Sequence, residues 1–596
     1  METRNVKGQG QTMLNGAMIL VVATLIVKII GAIYKIPLTA LIGAEGRGYF
    51  SSAYELYTPV YAISMAGLPV AVSKMVSENV SLGRYRDARM IFRLAMRLFF
   101  IVGVVGTLVL VLIAIPYVFL AHSVENLWSI LAIAPSIFFC CMMSTYRGYY
   151  EGMRNMTPTA ISQVIEASGK LVLGIFFAKF VKSYGLKRYA AGLSVFGKMC
   201  ETEAQALSRI YPYAAAAAVL SITIGTIAAL LFLAVLYRVK GDQFTREMLV
   251  NSPRPRHPEK VVKMMITIAI PMVISALIMN VTNLIDNFTI RTRLTQVVLN
   301  NLDYFKTRFA ASLQASQTMD DKIPTYLFGC YFSALDFKNM ITSITMTLGV
   351  SAIPALAAAR ALKQNKEVAS TINSVIRVCM LVAAPAGFGI AVLSEPILRL
   401  LYASTDSADM IPIAAPIMAI YGFVTFIMAL STPLTNVLQA LGRADIPAKV
   451  IAAGAITKVI CNFIFVGIPK FNIYGATIGT IVCYLIIITL NVYFTIKVSG
   501  CRIRFLSAIV KPLLCSAVCA FSAYAAQAVF SHILTFGKAT SRLNGYNVST
   551  LLAVGIAVLV YAACLLVSKS ISREDVIMLP KGKKIAKVLE KYDFLG

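Results

Sequence analysis

The sequence predicts an all-α polytopic membrane protein with about 14 transmembrane helices. Apolar stretches recur from end to end of the chain, and many reach the roughly 20 residues that a helix needs to cross a bilayer. Of the 596 residues, 58% are hydrophobic and only 14% are charged, whereas about 25% are charged in a typical soluble protein. A transmembrane β-barrel is excluded, because its strands would appear as short segments of alternating polarity.

The predicted membrane-spanning segments are assigned from their length and apolar character, with boundaries accurate to a few residues. Their approximate limits are 13–38, 50–79, 91–116, 127–149, 158–181, 211–237, 262–290, 327–357, 371–394, 411–438, 448–468, 473–497, 507–530 and 548–567.

The distribution of basic residues predicts the orientation of these segments. A net charge of +28 would suggest a nucleic-acid partner in a soluble protein, but here the basic residues lie mostly in the connections. They concentrate in every second connection, as at Arg84, Arg86 and Arg89 and again at Arg254 and Arg256. The positive-inside rule therefore places these connections and both termini in the cytoplasm and removes the argument for nucleic acid.

Cysteine and histidine usage predicts neither a cofactor nor a metal site. Most of the 11 cysteines lie within apolar segments, and the chain contains no CxxC pair. Only three histidines are present, all in or near connections. A disulfide framework, a zinc site and a histidine-based acid–base centre are therefore not expected.

Two pairs of motifs indicate an internal repeat. The segment around Pro69 resembles that around Pro354, and the segment around Pro158 resembles that around Pro447 at nearly the same offset. A repeat of about six spans predicts two pseudo-symmetric halves that form a V around a central cavity, an arrangement used by secondary transporters. The predicted divisions are an N-terminal half at 1–240, a cytoplasmic linker at 241–260, a C-terminal half at 261–500, two added helices at 501–568 and a basic cytoplasmic tail at 569–596.

Two lysines lie within the first apolar segment. Lys28, Gly31 and Lys35 fall on one face of a helix, and an ammonium that faces lipid at mid-membrane costs roughly 2.5–3.5 kcal/mol. That face must therefore contact protein or water. Two interpretations follow, a structural lysine with a partner inside the helix bundle or the cationic wall of a cavity for an anion.

Three stretches resemble a known family. KIIGAIYKIPLTALIGAEGRGYF, QALGRADIP and NLIDNFTIRTRL resemble the stage V sporulation protein B group of polysaccharide transport proteins, over roughly residues 10–500. This group belongs to the multidrug/oligosaccharidyl-lipid/polysaccharide exporter superfamily, which also includes the lipid II flippases. The resemblance implies a flippase of the bacterial cell membrane rather than an enzyme. We expect a monomer, because a bundle of two halves can form the whole cavity within one chain. Its substrate would be an undecaprenyl-pyrophosphate-linked precursor of the cell wall, lipid II or a related glycan, in growth or sporulation.

The resemblance also implies roles for the lysines and tyrosines of the N-terminal half. Lys28 would bind the anionic head group, because the lipid II flippases carry basic residues at corresponding places, and Lys35 would line the cavity or its outer mouth. Tyr57 and Tyr61 share a helix face with Tyr54, which suits sugar contacts, although a packed aromatic stripe is the alternative.

Further polar residues are candidates for a gate or for coupling. We expect Glu55 to form a partner for Arg47 or Lys35 at the outer gate. Asp286 would face Lys28 across the cavity, carry a proton or bind sodium. The remaining candidates are Asn462 and Thr480 as further sodium ligands, Lys458 as a substitute for that cation, Lys338 as a further cavity cation, and Glu166 with Lys170 as a structural pair.

The connection at 291–326 is longer than the family usually has. Val297, Leu302, Phe305 and Phe309 recur at helical spacing, which predicts an amphipathic surface helix or a lid. A solvated insertion without a special role is the alternative.

Three function classes are weighed from these features. Transport would be driven by the membrane potential or by an Na⁺ or H⁺ gradient, because the chain has no nucleotide-binding GxxxxGK[ST] motif. A drug or cation antiporter of the same superfamily is the alternative, but it would need an acidic cavity. A membrane enzyme that acts on lipid-linked sugars is less favoured, because no metal-binding DxD motif is present.

Overall fold

The computed structural model describes residues 13–120, 123–361, 364–405, 407–443, 445–501, 503–537 and 544–570. Within these ranges the chain is helical, and only an isolated bridge between Val195 and Lys198 has β pairing. The prediction of an all-α protein is thereby confirmed.

The described residues form two compact units, which meet in the chain between Phe288 and Thr289. The first unit contains α1 (Met13–Ala66), α2 (Leu68–Ser81), α3 (Tyr85–Leu120), α4 (Leu127–Gly152), α5 (Thr157–Ala190), α6 (Glu203–Lys240), α7 (Arg246–Val250) and most of α8 (Pro258–Asn300). The second contains α9 (Leu302–Arg308), α10 (Ala310–Ser316), α11 (Ile323–Ala361), α12 (Asn365–Val392), α13 (Ser394–Tyr402), α14 (Ile411–Ala440), α15 (Asp445–Phe465), α16 (Asn472–Ser499), α17 (Lys511–Ile533) and α18 (Gly545–Val567).

Every predicted span coincides with helix. Ten helical segments of the described ranges are long and apolar enough to cross a membrane, and α5, α8 and α11 cover further predicted spans. The count of about 14 spans stays a prediction, as do the repeat halves and the V-shaped arrangement.

The first two predicted spans are joined differently from the expectation. Instead of a connection at 39–49, α1 is helical on both sides of a single break at Gly43. Gly43 has φ 69° and ψ 178°, a combination that essentially only glycine adopts. All residues from 42 to 53 are buried, because this stretch packs within the unit. The expected loop is therefore wrong.

The predicted linker at 241–260 forms hydrogen bonds and an ion pair with helices of the first unit. Asp87, with 1% of its surface exposed, accepts hydrogen bonds from Nε of Arg84 at 2.6 Å and from the backbone N–H of Arg256 at 2.8 Å. Asp242 pairs with Arg89, and its carbonyl accepts a hydrogen bond from Tyr149 at 2.7 Å. Residues 84–89, at the start of α3, thus bind the segment that leads into α8.

The long connection at 291–326 is ordered as helix. The helix α8 continues to Asn300, beyond the predicted end of its span near residue 290, and α9 and α10 follow. Phe305, Phe309 and Leu313 are buried, and Arg308 donates a hydrogen bond to the carbonyl of Lys470 at 2.7 Å. The predicted amphipathic helix is therefore two short helices that pack on the second unit.

The helices that follow the repeat are attached to the second unit. Tyr561 of α18 donates a hydrogen bond to the carbonyl of Leu381 on α12 at 2.9 Å. Nζ of Lys511 donates to the carbonyl of Ser568 at 3.1 Å, which joins α17 to the end of α18. The predicted basic tail lies outside the described residues from position 571 onwards.

Candidate functional site

A lysine is seated on two tyrosine rings in the first unit. Nζ of Lys170, on α5, lies 5.3 Å from the ring centroid of Tyr34 and 4.8 Å from that of Tyr54. Both distances are within the range of about 6 Å at which a cation is attracted to an aromatic face. The two rings come from α1, on opposite sides of the break at Gly43. We call Lys170, Tyr34, Tyr54, Tyr57 and Tyr61 the lysine–tyrosine cluster.

Close packing fixes the ring of Tyr34. The side chain is fully buried, and its hydroxyl donates a hydrogen bond to the carbonyl of Ala218 on α6 at 3.3 Å. The ring fits against α5 because residue 174 is glycine: a Cβ atom there would lie 2.6 Å from the tyrosine oxygen. Gly174 therefore leaves the space that the Tyr34 ring occupies in the cluster.

The predicted tyrosine stripe is present as a continuous aromatic column. Phe50 stacks on Tyr54 at 6.1 Å between centroids, Tyr54 lies 6.0 Å from Tyr57, and Tyr57 lies 5.2 Å from Tyr61. Tyr57 is only 4% exposed and its hydroxyl is 3.8 Å from Sγ of Cys140, whereas Tyr54 and Tyr61 are partly exposed. Packing within the unit therefore accounts for Tyr57 in this structure, and its role in sugar binding stays a prediction.

A partly buried ion pair lies one helical turn before Lys170. Nη2 of Arg147, on α4, is 3.0 Å from Oε2 of Glu166, on α5. Nε of the same arginine donates a hydrogen bond to Ser162 at 2.9 Å. Arg147 lies near the end of α4, which continues to Gly152, and its contact with Glu166 was not predicted from the sequence.

The other predicted residues of the first unit lie on α1 and α8. Lys28 and Lys35 are partly buried on the first segment of α1, and Asp286 on α8 is 5% exposed. Arg47 is 2% exposed, and its guanidinium carbon lies 5.2 Å from the ring centroid of Phe50.

Glu55 has a contact that the sequence analysis did not name. Its Oε2 accepts a hydrogen bond from Nδ2 of Asn287 at 2.7 Å. This contact joins the second segment of α1 to α8, immediately after Asp286. The gate role of Glu55 with Arg47 or Lys35 stays a prediction.

The second unit contains a related arrangement. Nζ of Lys338, on α11, lies 5.5 Å from the ring centroid of Tyr421, on α14. The hydroxyl of Tyr421 is 2.9 Å from that of Tyr331 and 3.2 Å from that of Thr480. The structure therefore connects two predicted site residues, Lys338 and Thr480, through Tyr421, which the sequence analysis did not single out.

The predicted sodium ligands belong to different units. Asn462 and Thr480 lie on the neighbouring helices α15 and α16 of the second unit, where the Asn462 side chain contacts Gly479, and Asp286 lies in the first unit. No group of three or more histidine, cysteine, aspartate or glutamate side chains suited to a metal occurs among the described residues. A sodium site formed by Asp286, Asn462 and Thr480 stays a prediction.

Comparisons with known proteins agree with this architecture. The family model "Lipid II flippase MurJ" matches residues 203–546, and the family model "Polysaccharide biosynthesis protein" matches residues 13–302. Stage V sporulation protein B of Bacillus subtilis (strain 168) is 23% identical over 96% of this chain and 98% of its own length. Lipid II flippase MurJ of the same strain is 23% identical over 79% of this chain and 80% of its own length.

Solved structures of low sequence identity share the fold. A structure of lipid II flippase MurJ in an inward closed conformation has a TM-score of 0.59 at 12% identity, covering 92% of this chain and 98% of its own. An inward-facing multidrug resistance MATE family transporter of the MOP superfamily has a TM-score of 0.57 at 13% identity, covering 80% and 98%. With the family model that matches more than half of the chain and the relatives of Bacillus subtilis, these findings show that the chain is a multi-pass bacterial membrane protein that belongs to the lipid II flippase MurJ family.

Proposed function

We propose that this protein moves an undecaprenyl-pyrophosphate-linked precursor of the cell wall, lipid II or a related lipid-linked glycan, from the inner to the outer leaflet. It works by alternating access, without catalysing a covalent reaction, and the substrate's lipid tail stays in the bilayer while the head group crosses. Membership of the MurJ family is the observation that carries this proposal.

Partly buried lysines within the predicted membrane spans support an anionic substrate. Lys28, Lys35 and Lys170 lie on helices of the first unit, and Lys338 lies on a helix of the second. Charged groups within a membrane protein face protein or water and mark substrate pathways. Lysine ammonium groups are suited to phosphate oxygens, to which they form charge-assisted hydrogen bonds.

The neighbouring carboxylates already have contacts that occupy them. Glu166 pairs with Arg147, and Glu55 accepts a hydrogen bond from Asn287. Glu45 accepts hydrogen bonds from Tyr49 at 3.3 Å and from Ser208 at 3.2 Å. These three carboxylates therefore take part in contacts within the first unit.

The membrane potential or an Na⁺ or H⁺ gradient drives transport in this proposal. Asp286 is the carboxylate assigned to coupling, with Asn462 and Thr480 as oxygen ligands if the ion is sodium. Both termini lie in the cytoplasm, and the protein acts as a monomer.

Replacement of Lys28 tests the binding of the head group. Lys28→Ala should reduce flipping of fluorescent lipid II in proteoliposomes at least about tenfold, because a lost charge-assisted hydrogen bond is worth about 1.5–3 kcal/mol. The matched control is Lys74→Ala, since Lys74 is exposed on α2, and this variant should flip at the wild-type rate. Wild-type flipping by Lys28→Ala would remove Lys28 from the site.

A drug or cation antiporter is the second candidate, because the fold is shared with a multidrug transporter. It predicts uptake of a cationic dye into vesicles that depends on a proton gradient and is lost in Asp286→Asn. The lipid-linked glycan proposal predicts no such uptake above that of empty vesicles.

A further inference from the structure

Two arginines lie on an exposed and otherwise apolar face of α3. Arg93 and Arg97 are both exposed, fall within the predicted span 91–116 and share a helix face because they are four residues apart. The same face continues with exposed apolar side chains, among them Phe100 and Leu108, with 50% and 56% of their surface exposed. The rise from Arg97 to Phe100 is roughly 4.5 Å, so the basic and apolar parts of the face adjoin directly. We call Arg93 and Arg97 the α3 arginine pair.

The preceding arginines of α3 already have partners in the linker. Arg89 forms an ion pair with Asp242, and Nε of Arg86 donates a hydrogen bond to the carbonyl of Leu249 at 2.7 Å. Within the described ranges, in contrast, the α3 arginine pair forms no hydrogen bond or ion pair with another residue. A cation inside a membrane span is costly unless an anionic group or water solvates it. The pair is therefore suited to an anion from outside the chain.

Aromatic rings pack beside the α3 arginine pair. Phe92 stacks on Tyr237 of α6 at 4.6 Å between centroids and lies 5.4 Å from the ring of Tyr146 on α4. Arg93 interacts electrostatically with the hydroxyl of Tyr237. Arg238 interacts in the same way with the hydroxyl of Tyr146. Both tyrosines are partly exposed, and tyrosine is enriched where a bilayer meets water, which is the depth of lipid phosphate groups.

A third arginine adjoins a second exposed apolar face. Arg238 is exposed on α6, on the helix face that carries Leu231 and Val235, each with 58% of its surface exposed. It forms no hydrogen bond or ion pair with any other residue that the structure describes. The helices α3 and α6 therefore repeat one order, in which arginine is followed along the helix by exposed apolar side chains.

We infer that the α3 arginine pair and Arg238 bind the phosphate group of an anionic glycerophospholipid of the phosphatidylglycerol class, whose two acyl chains lie on the exposed apolar faces of α3 and α6. Arginine binds phosphate oxygens through paired N–H donors, and basic groups at a membrane surface attract anionic lipids. Two apolar faces match the two chains of a glycerophospholipid, whereas a polyprenyl diphosphate has a single chain. The lipid is thus a bound partner of the first unit and is distinct from the transported substrate.

The test is native mass spectrometry of the delipidated full-length protein, which gives the dissociation constant of the most tightly bound lipid. Dioleoyl-phosphatidylglycerol is the anionic probe, and dioleoyl-phosphatidylcholine is the zwitterionic one. The wild type should bind the anionic lipid at least about tenfold more tightly. Arg93→Gln/Arg97→Gln should weaken binding of phosphatidylglycerol about tenfold, equivalent to about 1.4 kcal/mol, and should leave binding of phosphatidylcholine unchanged.

A matched control removes the same charge elsewhere in the first unit. Arg246→Gln/Arg254→Gln changes two exposed arginines of α7 and the linker and should bind phosphatidylglycerol as the wild type does. Arg93→Lys/Arg97→Lys keeps the charge and should stay within about threefold of wild type. Each variant is used only as a monodisperse protein with a melting temperature, without added lipid, within a few degrees of wild type.

Three results would overturn the inference. The first is equal affinity of the wild type and Arg93→Gln/Arg97→Gln for phosphatidylglycerol, and the second is an equal loss in the control, which would indicate attraction by net charge alone. The third concerns undecaprenyl diphosphate, which should displace phosphatidylglycerol from the wild type only at a concentration more than about tenfold higher. Displacement at equal concentration would assign these arginines to the substrate. None of the three results affects the proposed function.

Discussion

Three charged side chains of the first unit are stabilised in three different ways. Lys170 lies on aromatic rings, Lys182 donates to a main-chain carbonyl, and Arg147 pairs with a carboxylate. Each arrangement offsets the cost of keeping a charge away from water. The ion pair between Arg147 and Glu166 is assigned a structural role, because it joins α4 to α5.

Removal of one member of the ion pair should destabilise the protein. Arg147→Met leaves Glu166 without its guanidinium partner and should cost about 2 kcal/mol, less than the 3–5 kcal/mol of a fully buried pair, because the Glu166 side chain is 23% exposed. The double variant Arg147→Met/Glu166→Gln should recover part of this loss. Unfolding in mixed micelles by a titration with SDS measures both, and an additive loss in the double variant would show that the two residues are not coupled.

Part of the site could be predicted at the level of single residues. The cost of a charge in the membrane indicates that Lys28, Lys35 and Asp286 must face protein or water. This cost does not predict which residue a charged side chain contacts, because contacts such as that of Lys170 with Tyr34 join residues that are far apart in the chain. The glycines that create this contact, Gly174 against Tyr34 and Gly225 against α5, have no charge or periodicity that would have identified them.

The break in α1 is the feature at the element scale that the sequence analysis missed. A run of small and polar residues around Gly43 resembles a surface loop by composition. Burial of the whole stretch from 42 to 53 keeps it helical apart from the one residue that requires a positive φ. The break places Tyr34 and Tyr54 on separate helical segments that both reach Lys170.

Substitution of Gly43 should be costly and substitution of Gly31 should not. Gly43→Ala forces an L-residue into φ 69°, ψ 178° and puts a Cβ 3.4 Å from the ring of Tyr211, for an expected loss of about 1–3 kcal/mol. Gly31→Ala, in the same helix with nothing within 4 Å of the added Cβ, should be neutral or stabilising by about 0.5–1 kcal/mol. Thermal unfolding in detergent compares them, and equal melting temperatures would contradict the role assigned to Gly43.

The helices α9 and α10 bury a small set of apolar side chains within the second unit. Phe305 is fully buried, and an ion pair of 2.6 Å between Lys306 and Asp320 lies beside it. The helical periodicity of the sequence predicted the buried residues well. It did not predict the interruption between the two helices at Phe309, which depends on how the segment meets the rest of the second unit.

Loss of the Phe305 ring should open this insertion. A fully buried phenylalanine replaced by alanine costs about 3–5 kcal/mol, which is enough to unfold α9 locally and make the backbone at the neighbouring Lys306 accessible to a protease. Limited digestion with trypsin should therefore cut Phe305→Ala at Lys306 or Arg308 at least about tenfold faster than wild type. Leu299→Ala is the control, since Leu299 is 46% exposed, and unchanged cleavage of Phe305→Ala would contradict the packing described.

At the scale of the whole molecule, hydropathy and motif content were sufficient to predict the fold class and the family. Long apolar segments determine a polytopic helical protein because backbone polar groups in lipid must be satisfied within each segment. The matched family model and the shared fold then confirm the resemblance carried by the motifs. The transported glycan and the coupling ion lie beyond such arguments, because both depend on a few polar side chains that apolar periodicity does not determine.

The most direct test of the account is replacement of an endogenous lipid II flippase in a bacterial cell. Expression of this chain in cells depleted of that flippase should restore growth, and lipid II should become accessible in the outer leaflet to a membrane-impermeant probe. Lys28→Ala, inserted at the same level, should do neither. Inner-leaflet retention of lipid II in cells that express the wild-type chain at full level would contradict lipid II as the substrate, and a parallel failure with related undecaprenyl-linked glycans would contradict the proposed function.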